Sequence, residues 1–138
     1  MKEACILDAC ALIAFFKKET GHKMLHSLFQ HAIEEKTSLY MHKLNLLEVF
    51  YGFYRDDGKK IAENVLLDSL SLPITYITDL DEPLFHEAGR LKAIYTISFA
   101  DSIALALAST YKKPLVTSDH HDFDLLERKE KIKFNWIR

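Results

Sequence analysis

Apolar residues follow two different spacings along this chain, and each change of spacing predicts where a strand ends and a helix begins. Residues 4–7 are apolar without interruption, a pattern typical of a strand that is covered on both faces in a parallel sheet. From Ala9 onward, the spacing of Leu12, Ile13 and Phe16 predicts the apolar face of a helix. The chain is therefore expected to begin with a central strand followed directly by a helix.

Strands and helices continue to alternate along the rest of the chain. Further helices are expected at 22–35, 45–55, 59–69, 81–93, 98–111 and 119–129, and further strands at 37–42, 73–77, 114–117 and 132–137. A turn is expected at 56–58. This order predicts the α/β class, with three α/β/α layers around a central, mostly parallel sheet of four to five strands. Because neither a repeat nor a linker interrupts the pattern, residues 1–138 are expected to form a single domain.

The composition is that of an ordinary globular protein. Cys5 and Cys10 do not form a C-x-x-C pair, so a buried, reduced pair in a cytoplasmic protein is expected. The sequence contains neither a secretory leader nor an apolar run of about 18 residues, so no membrane association is expected. The net charge of -2 argues against binding nucleic acid through bulk positive charge. Most lysines are expected on solvated helix faces, and the remainder could contact a phosphate backbone.

Four acidic residues lie at junctions between the predicted strands and helices. Asp8 and Asp119 follow two strands, and Glu48 and Asp101 are expected in the first turns of two helices. These junctions share one edge of a parallel sheet, so the four carboxylates are expected to converge. Clustered carboxylates with apolar neighbours need a counter-charge, and Mg²⁺ or Mn²⁺ suits oxygen ligands. The predicted site therefore fits phosphoryl-transfer chemistry on water.

Helix capping is the alternative explanation for each acid taken singly. Asp8 and Asp119 are candidate N-caps, and the pairs Ser98–Asp101 and Asn45–Glu48 have the spacing of a capping box. Capping does not explain why all four acids occupy equivalent junctions, which a shared metal ion does.

The ordered set of motifs resembles the PIN domain. The matching segments are Leu7-Asp8 before a helix, Glu48-Val-Phe-Tyr-Gly52, Ala100-Asp101 at the start of an Ala-rich helix, and Leu115-Val-Thr-Ser-Asp119 followed by Phe123. Among PIN domains, the chain looks most like the VapC-type toxins of bacterial and archaeal toxin–antitoxin systems. The resemblance extends over residues 6–134.

This resemblance implies an endoribonuclease that cleaves RNA phosphodiesters by metal-activated water, with Mg²⁺ or Mn²⁺ as cofactor and with 5′-phosphate and 3′-hydroxyl product ends. It assigns the catalytic and metal-ligating roles to Asp8, Glu48, Asp101 and Asp119. Auxiliary roles fall to Asp122 as a further ligand, and to Thr117 or Ser118 as hydrogen-bond partners of a carboxylate, water or phosphate.

The resemblance also implies a small antitoxin protein and a second copy of the chain as partners. Tyr51 and Tyr54 share a predicted helix face with Leu47 and Phe50, which suits a partner helix or a homodimer surface.

One position departs from the family pattern, which commonly has a Thr or Ser hydroxyl directly after the first Asp. This chain has Ala9 and Cys10 there, so weaker metal affinity near Asp8 is the expectation.

Other function classes fit the sequence less well. A haloacid-dehalogenase-type phosphatase needs Asp-x-Asp, but residue 10 is cysteine, and a receiver domain needs a second acid and a lysine where Ala9 and Thr117 stand. Dinucleotide binding lacks its glycine motif, and the histidines complete no zinc ligand set. The remaining alternative is a catalytically silent PIN-fold module that binds RNA or protein, and the complete acidic quartet favours catalysis instead.

Overall fold

The structure is a computed structural model that describes residues 3–138. Its strands are β1 (Glu3–Leu7), β2 (Thr37–His42), β3 (Thr75–Ile77), β4 (Leu115–Thr117) and β5 (Phe134–Trp136). Its helices are α1 (Ala9–Phe16), α2 (His22–Ile33), α3 (Lys43–Asp57), α4 (Lys59–Ser71), α5 (Glu82–Ile94), α6 (Phe99–Tyr111) and α7 (His120–Lys129). None of the helices between residues 3 and 138 is long and apolar enough to cross a membrane.

All five strands form one parallel sheet in the order β3-β2-β1-β4-β5. Strand β1 is central, because Ile6 pairs with Tyr40 of β2 on one side and with Leu115 of β4 on the other. The prediction of an α/β/α fold around a mostly parallel sheet is confirmed. Since every strand runs in the same direction, the carboxyl ends of all five strands lie at one edge of the sheet.

The hydrophobic core consists of two clusters, one on each face of the sheet. Cys5 and Leu7 of β1 pack with helices α1 to α4, whereas Ile6 packs with α5, α6 and α7. Successive residues of β1 are thus buried on opposite faces, which explains why this strand is apolar throughout.

Helix α3 is longer at both ends than the sequence pattern predicts. It begins at Lys43 because the His42 Nδ1 atom accepts a hydrogen bond from the Leu44 amide at 3.0 Å and so acts as the N-cap. It continues through Asp57 and ends at Gly58, where φ is 91°. The predicted turn at residues 56–58 is therefore wrong in its first two residues.

This earlier start of α3 also corrects the expected position of Glu48. Glu48 lies in the second turn of the helix rather than in the first, and Asn45 is a helical residue rather than the N-cap. The predicted Asn45–Glu48 capping box is therefore wrong, because His42 already supplies the capping atom.

The Gly21→Ala substitution is expected to lower the free energy of unfolding by about 2 kcal/mol, because Gly21 has a φ of 98° that strains other residues. A Cβ atom at this position would also lie 2.5 Å from the Ile137 carbonyl oxygen. Chemical denaturation measures the change. As a control, Gly52→Ala within α3 meets no atom within 4 Å and should raise the free energy of unfolding by about 0.5–1 kcal/mol. Equal effects of the two variants would contradict the close approach at Gly21.

Candidate metal centre

Five acidic side chains approach one another near the edge of the sheet where β1 and β4 end. Asp8 follows β1, Asp119 follows β4, and Asp101 lies in the first turn of α6. Glu48 of α3 and Asp122 of α7 complete the group. Burial is the largest cause of the raised pKa values of Asp8 and Asp101. The charges of Asp101 and Asp119 raise the pKa of Asp8 further, and those of Glu48, Asp119 and Asp122 raise the pKa of Asp101. The parallel topology thus brings together all four predicted acids and Asp122.

The tightest part of this group is a trio formed by Asp101, Asp119 and Asp122. One carboxylate oxygen from each residue lies within 4.8 Å of the others, and between residues 3 and 138 this is the one group of three such side chains with that spacing. Asp122, predicted only as an auxiliary ligand, is therefore a full member of the trio. Asp8 and Glu48 lie outside the trio.

Asp8 is almost completely enclosed, with 2% of its surface exposed. Its Oδ1 atom accepts a hydrogen bond from the Ala11 amide at 2.9 Å, and its Oδ2 atom accepts one from the Thr117 hydroxyl. Burial nevertheless raises the pKa of Asp8 to about 7, against the opposing effect of both hydrogen bonds. The carboxylate is therefore fixed in position but costly to ionise.

Thr117 connects Asp8 to the acidic trio. Its hydroxyl donates to Asp8 and accepts a hydrogen bond from the Asp119 amide at 3.1 Å. Ser118 is buried beside it, and its carbonyl oxygen accepts from the His120 amide. Of the two hydroxyl residues predicted here, it is Thr117 that contacts a carboxylate.

Two of the clustered acidic residues also cap helices in this structure. Asp8 caps α1, and Asp119 caps α7 by accepting a hydrogen bond from the Asp122 amide at 3.1 Å. Helix α6, however, is capped by the Ser98 hydroxyl, which accepts from the Asp101 amide at 3.1 Å. Capping therefore accounts for the positions of two acids, but it gives no reason for a carboxylate at residue 101.

The electrostatics of the site favour a bound cation. Burial is the main cause that raises the pKa of Asp101 to about 7, followed by the negative charge of Glu48. Burial also raises the pKa values of Glu48 and Asp119. Because each carboxylate opposes ionisation of the others, the fully ionised cluster requires a compensating positive charge.

A hard divalent cation fits the atoms present. Asn45 has a buried amide near Asp101: its Nδ2 atom donates to the Ala100 carbonyl at 3.0 Å, whereas its Oδ1 atom has no hydrogen-bond partner among residues 3–138. The sequence pattern predicted Asn45 as a helix cap. Its position near the acids could have been inferred from its spacing, three residues before Glu48 on the same helix face.

Cys10 lies near the acidic group, as its place two residues after Asp8 predicts. Burial raises the pKa of its thiol, and the charges of Asp8, Asp119, Asp101 and Glu48 raise it further. The thiol is therefore protonated next to the acidic group, which does not suit a metal ligand. Both cysteines are free, as predicted, but Cys10 is half-buried whereas Cys5 is buried.

The histidines and lysines near the chain's carboxyl-terminal elements occupy distinct places. The ring of His120 stacks on Trp136 at a centroid distance of 3.8 Å. The side chain of His121, in contrast, is 96% exposed. A cavity of about 380 Å³ is lined by Lys112, Lys113, Lys131 and Lys133. These lysines precede β4 and β5, at the end of the sheet opposite the acidic trio.

A parallel α/β/α domain with carboxylates gathered where its strands end defines the structural class of this chain. The PIN domain family model matches residues 5–129, and the chain belongs to this family. The resemblance identified from the sequence motifs is therefore confirmed.

Solved structures of toxin–antitoxin proteins share the fold. VapBC2 from Rickettsia felis, bound to a DNA fragment from its promoter, matches with a TM-score of 0.73 at 17% identity, over 96% of this chain and 97% of that chain. DNA-bound VapBC from Salmonella typhimurium matches with a TM-score of 0.71 at 15% identity over the full length of both chains. VapC20 from Mycobacterium tuberculosis, described as a sarcin-ricin loop cleaving toxin, matches with a TM-score of 0.66 at 13% identity, over 88% of this chain and 94% of that chain. None of the curated proteins matches the sequence.

Proposed function

We propose that this protein is a metal-dependent endoribonuclease that hydrolyses RNA phosphodiesters with Mg²⁺ or Mn²⁺. The observation that carries the proposal is the trio of Asp101, Asp119 and Asp122, whose carboxylate oxygens are close enough to share one cation. Membership of the PIN family, which comprises nucleases, supports the reaction class.

The proposed roles divide the acidic residues into ligands of the cation and residues beside them. Asp101, Asp119 and Asp122 would hold the cation, with Glu48 as a further carboxylate at the same site. Asp8 is fixed by hydrogen bonds from Ala11 and Thr117. Its carboxylate would either position the RNA beside the cation or act as a further ligand of the cation. A bound divalent ion supplies an activated water and neutralises phosphate charge. The protein contributes a fixed arrangement of oxygens in which Thr117 links Asp8 to Asp119.

We propose further that the chain is the toxin of a toxin–antitoxin pair, acting in the cytoplasm. The support is the fold shared with VapBC proteins, one of which is described as cleaving the sarcin-ricin loop. An antitoxin and a second copy of the chain are the proposed protein partners. Helix α3 has an exposed apolar face that suits such contacts, comprising Leu47, Tyr51 and Tyr54. Light scattering tests the homodimer directly, and a monomer at micromolar concentration would contradict it.

Removal of metal is expected to abolish RNA cleavage. In millimolar Mn²⁺ or Mg²⁺ the purified protein should cut single-stranded RNA and leave 5′-phosphate and 3′-hydroxyl ends, because water would attack the phosphorus and the 3′-oxygen would leave. Excess EDTA should stop the reaction, and added Mn²⁺ should restore it. Gel analysis, with a phosphatase step to identify the 5′ end, provides the measurement. Cleavage that persists in EDTA, or 2′,3′-cyclic phosphate products, would contradict the proposal.

A further inference from the structure

A cavity of about 410 Å³ lies directly beside the acidic trio, and Asp122 belongs to both. One wall is formed by the end of α5 and the segment that leads to α6, and the other by the first turns of α7. The residues that matter here are Ile94, Tyr95 and Ile97 on the first wall, and His121, Asp122 and Leu125 on the second. The cavity therefore has a mixed lining, in which apolar side chains lie beside polar ones that include Asp122 of the candidate metal centre.

Tyr95 is held on the wall of this cavity by a network of charged side chains. Its hydroxyl donates to Glu130, whose carboxylate is also bound by Arg90 at 2.6 Å. The same guanidinium binds Glu87 at 2.7 Å, and the Ser109 hydroxyl donates to Glu87 as well. Arg90 thereby lowers the pKa values of both glutamates, which keeps them ionised as acceptors.

This network fixes the aromatic ring while leaving it accessible. The Tyr95 side chain is half-buried, and Ile94 and Leu125 are exposed. An aromatic ring that is already held in place at the wall of a cavity can receive a planar aromatic ligand without the entropy loss of ordering the ring. The walls named above suit stacking and apolar contact with such a ligand.

We propose that this cavity is the subsite for one nucleobase next to the scissile phosphate, and that the base stacks on Tyr95. The inference rests on the proposed ribonuclease function, since it concerns the strand that would occupy the same site. A phosphate at the trio has a nucleoside on each side, and the cavity is adjacent to the trio because Asp122 belongs to both. Stacking on an aromatic ring accepts any of the four bases, so the subsite positions the strand rather than reading its sequence.

Replacement of the ring provides the direct test. An RNA oligonucleotide with a fluorescent label, spanning a cleavage site mapped with the wild-type protein, is titrated against variants made in the Asp101→Asn background, which removes one metal ligand. Tyr95→Leu should weaken binding about tenfold, whereas Tyr95→Phe, which keeps the ring, should stay within about twofold. Tyr111→Leu, at the distant end of α6, serves as the matched control and should leave binding unchanged.

The Phe variant separates stacking from a purely structural role. Both Phe and Leu remove the hydrogen bond to Glu130, so equal losses for the two variants would overturn the proposal, as would no loss for Leu. Circular dichroism and melting temperatures confirm that the compared variants are folded.

Removal of a single base tests the partner of Tyr95. An abasic nucleotide placed at one position beside the cleaved bond should weaken binding to the protein that retains Tyr95 about tenfold and should have no further effect on Tyr95→Leu. The proposed subsite would be overturned if every abasic position weakened binding by the same factor in Tyr95→Leu as in the protein that retains Tyr95. Should the wild-type protein not cleave RNA at all, the proposed function fails. The same titrations with an oligonucleotide of arbitrary sequence would then test base binding independently of cleavage. An equal Kd for the Tyr95→Leu variant and the protein that retains Tyr95 would overturn the proposed subsite.

Discussion

Asp101→Asn is expected to reduce Mn²⁺-dependent RNA cleavage by more than a hundredfold and, at the same time, to stabilise the metal-free protein at pH 8. Loss of a residue that only supports a metal ligand typically costs 10- to 100-fold, so loss of a ligand should exceed about a hundredfold. The gain in stability is expected because Asn removes a buried carboxylate whose pKa is raised to about 7 by burial and by Glu48. RNA cleavage assays and chemical denaturation measure the two effects.

Asp101 is the most informative of the acids because its carboxylate does not cap a helix. Asp8 and Asp119 accept hydrogen bonds from helix amides, so their replacement also changes helix capping. In α6 the capping oxygen belongs to Ser98, which makes Ser98→Ala the matched control. That variant should lose about 1 kcal/mol of stability and retain most of its activity. The reverse pattern, an active Asp101→Asn and an inactive Ser98→Ala, would refute the metal-site assignment.

The fold could be predicted from the sequence because its signals are local. The apolar run in β1 and the helical spacing after Ala9 both report burial directly. The predicted start of a helix was wrong where an uncommon residue type caps the helix. His42 caps α3 through its ring nitrogen, a role that the preferred N-cap residues normally fill, so the start of the helix was placed too late.

The candidate site was only partly predictable, because its geometry depends on side chains far apart in the chain. The positions of Asp8, Asp101 and Asp119 at junctions could be predicted from the strand and helix pattern, whereas Glu48 lies one turn further into α3 than predicted. The closeness of Asp122 to Asp101 could not, since it depends on how α7 packs against α6 in the folded protein. The hydrogen bond from Thr117 to Asp8 joins residues 109 positions apart, and no local pattern encodes it.

Asp8 shows why a capping signal and a ligand signal were difficult to separate. An N-cap accepts an amide hydrogen with one carboxylate oxygen, so the second oxygen remains available for another partner. In Asp8 that partner is Thr117. The same carboxylate can therefore end a strand, begin a helix and contribute charge to a metal centre, and the two sequence interpretations were not exclusive.

The metal-free protein is expected to lose stability as the pH rises from 5 to 8, and saturating Mn²⁺ should remove this loss. The carboxyl pKa values of Asp8 and Asp101 are raised to about 7 in the folded state, from 3.8 for an unburied group. The folded protein therefore binds protons that the unfolded chain has released, and stability falls until the pH passes the folded pKa. One such group corresponds to about 3 kcal/mol over this interval, and the coupled pair to less than twice that value.

Metal dependence distinguishes these carboxylates from other titrating groups. The pKa of His120 is raised by the Arg138 carbonyl and by Asp124, so it contributes a pH dependence of the same sign that Mn²⁺ should not remove. Glu87 and Glu130 have lowered pKa values, and their contributions are already complete above about pH 5. Denaturation at several pH values, with Mn²⁺ or with EDTA, measures the difference. Asp101→Asn should reduce the slope of the metal-free profile, with Asp8 providing the remainder, whereas Asp57→Asn, on the exposed end of α3, should leave the slope unchanged. A profile that Mn²⁺ leaves unchanged would mean that the buried carboxylates do not share a cation, because a bound ion must favour their ionised forms.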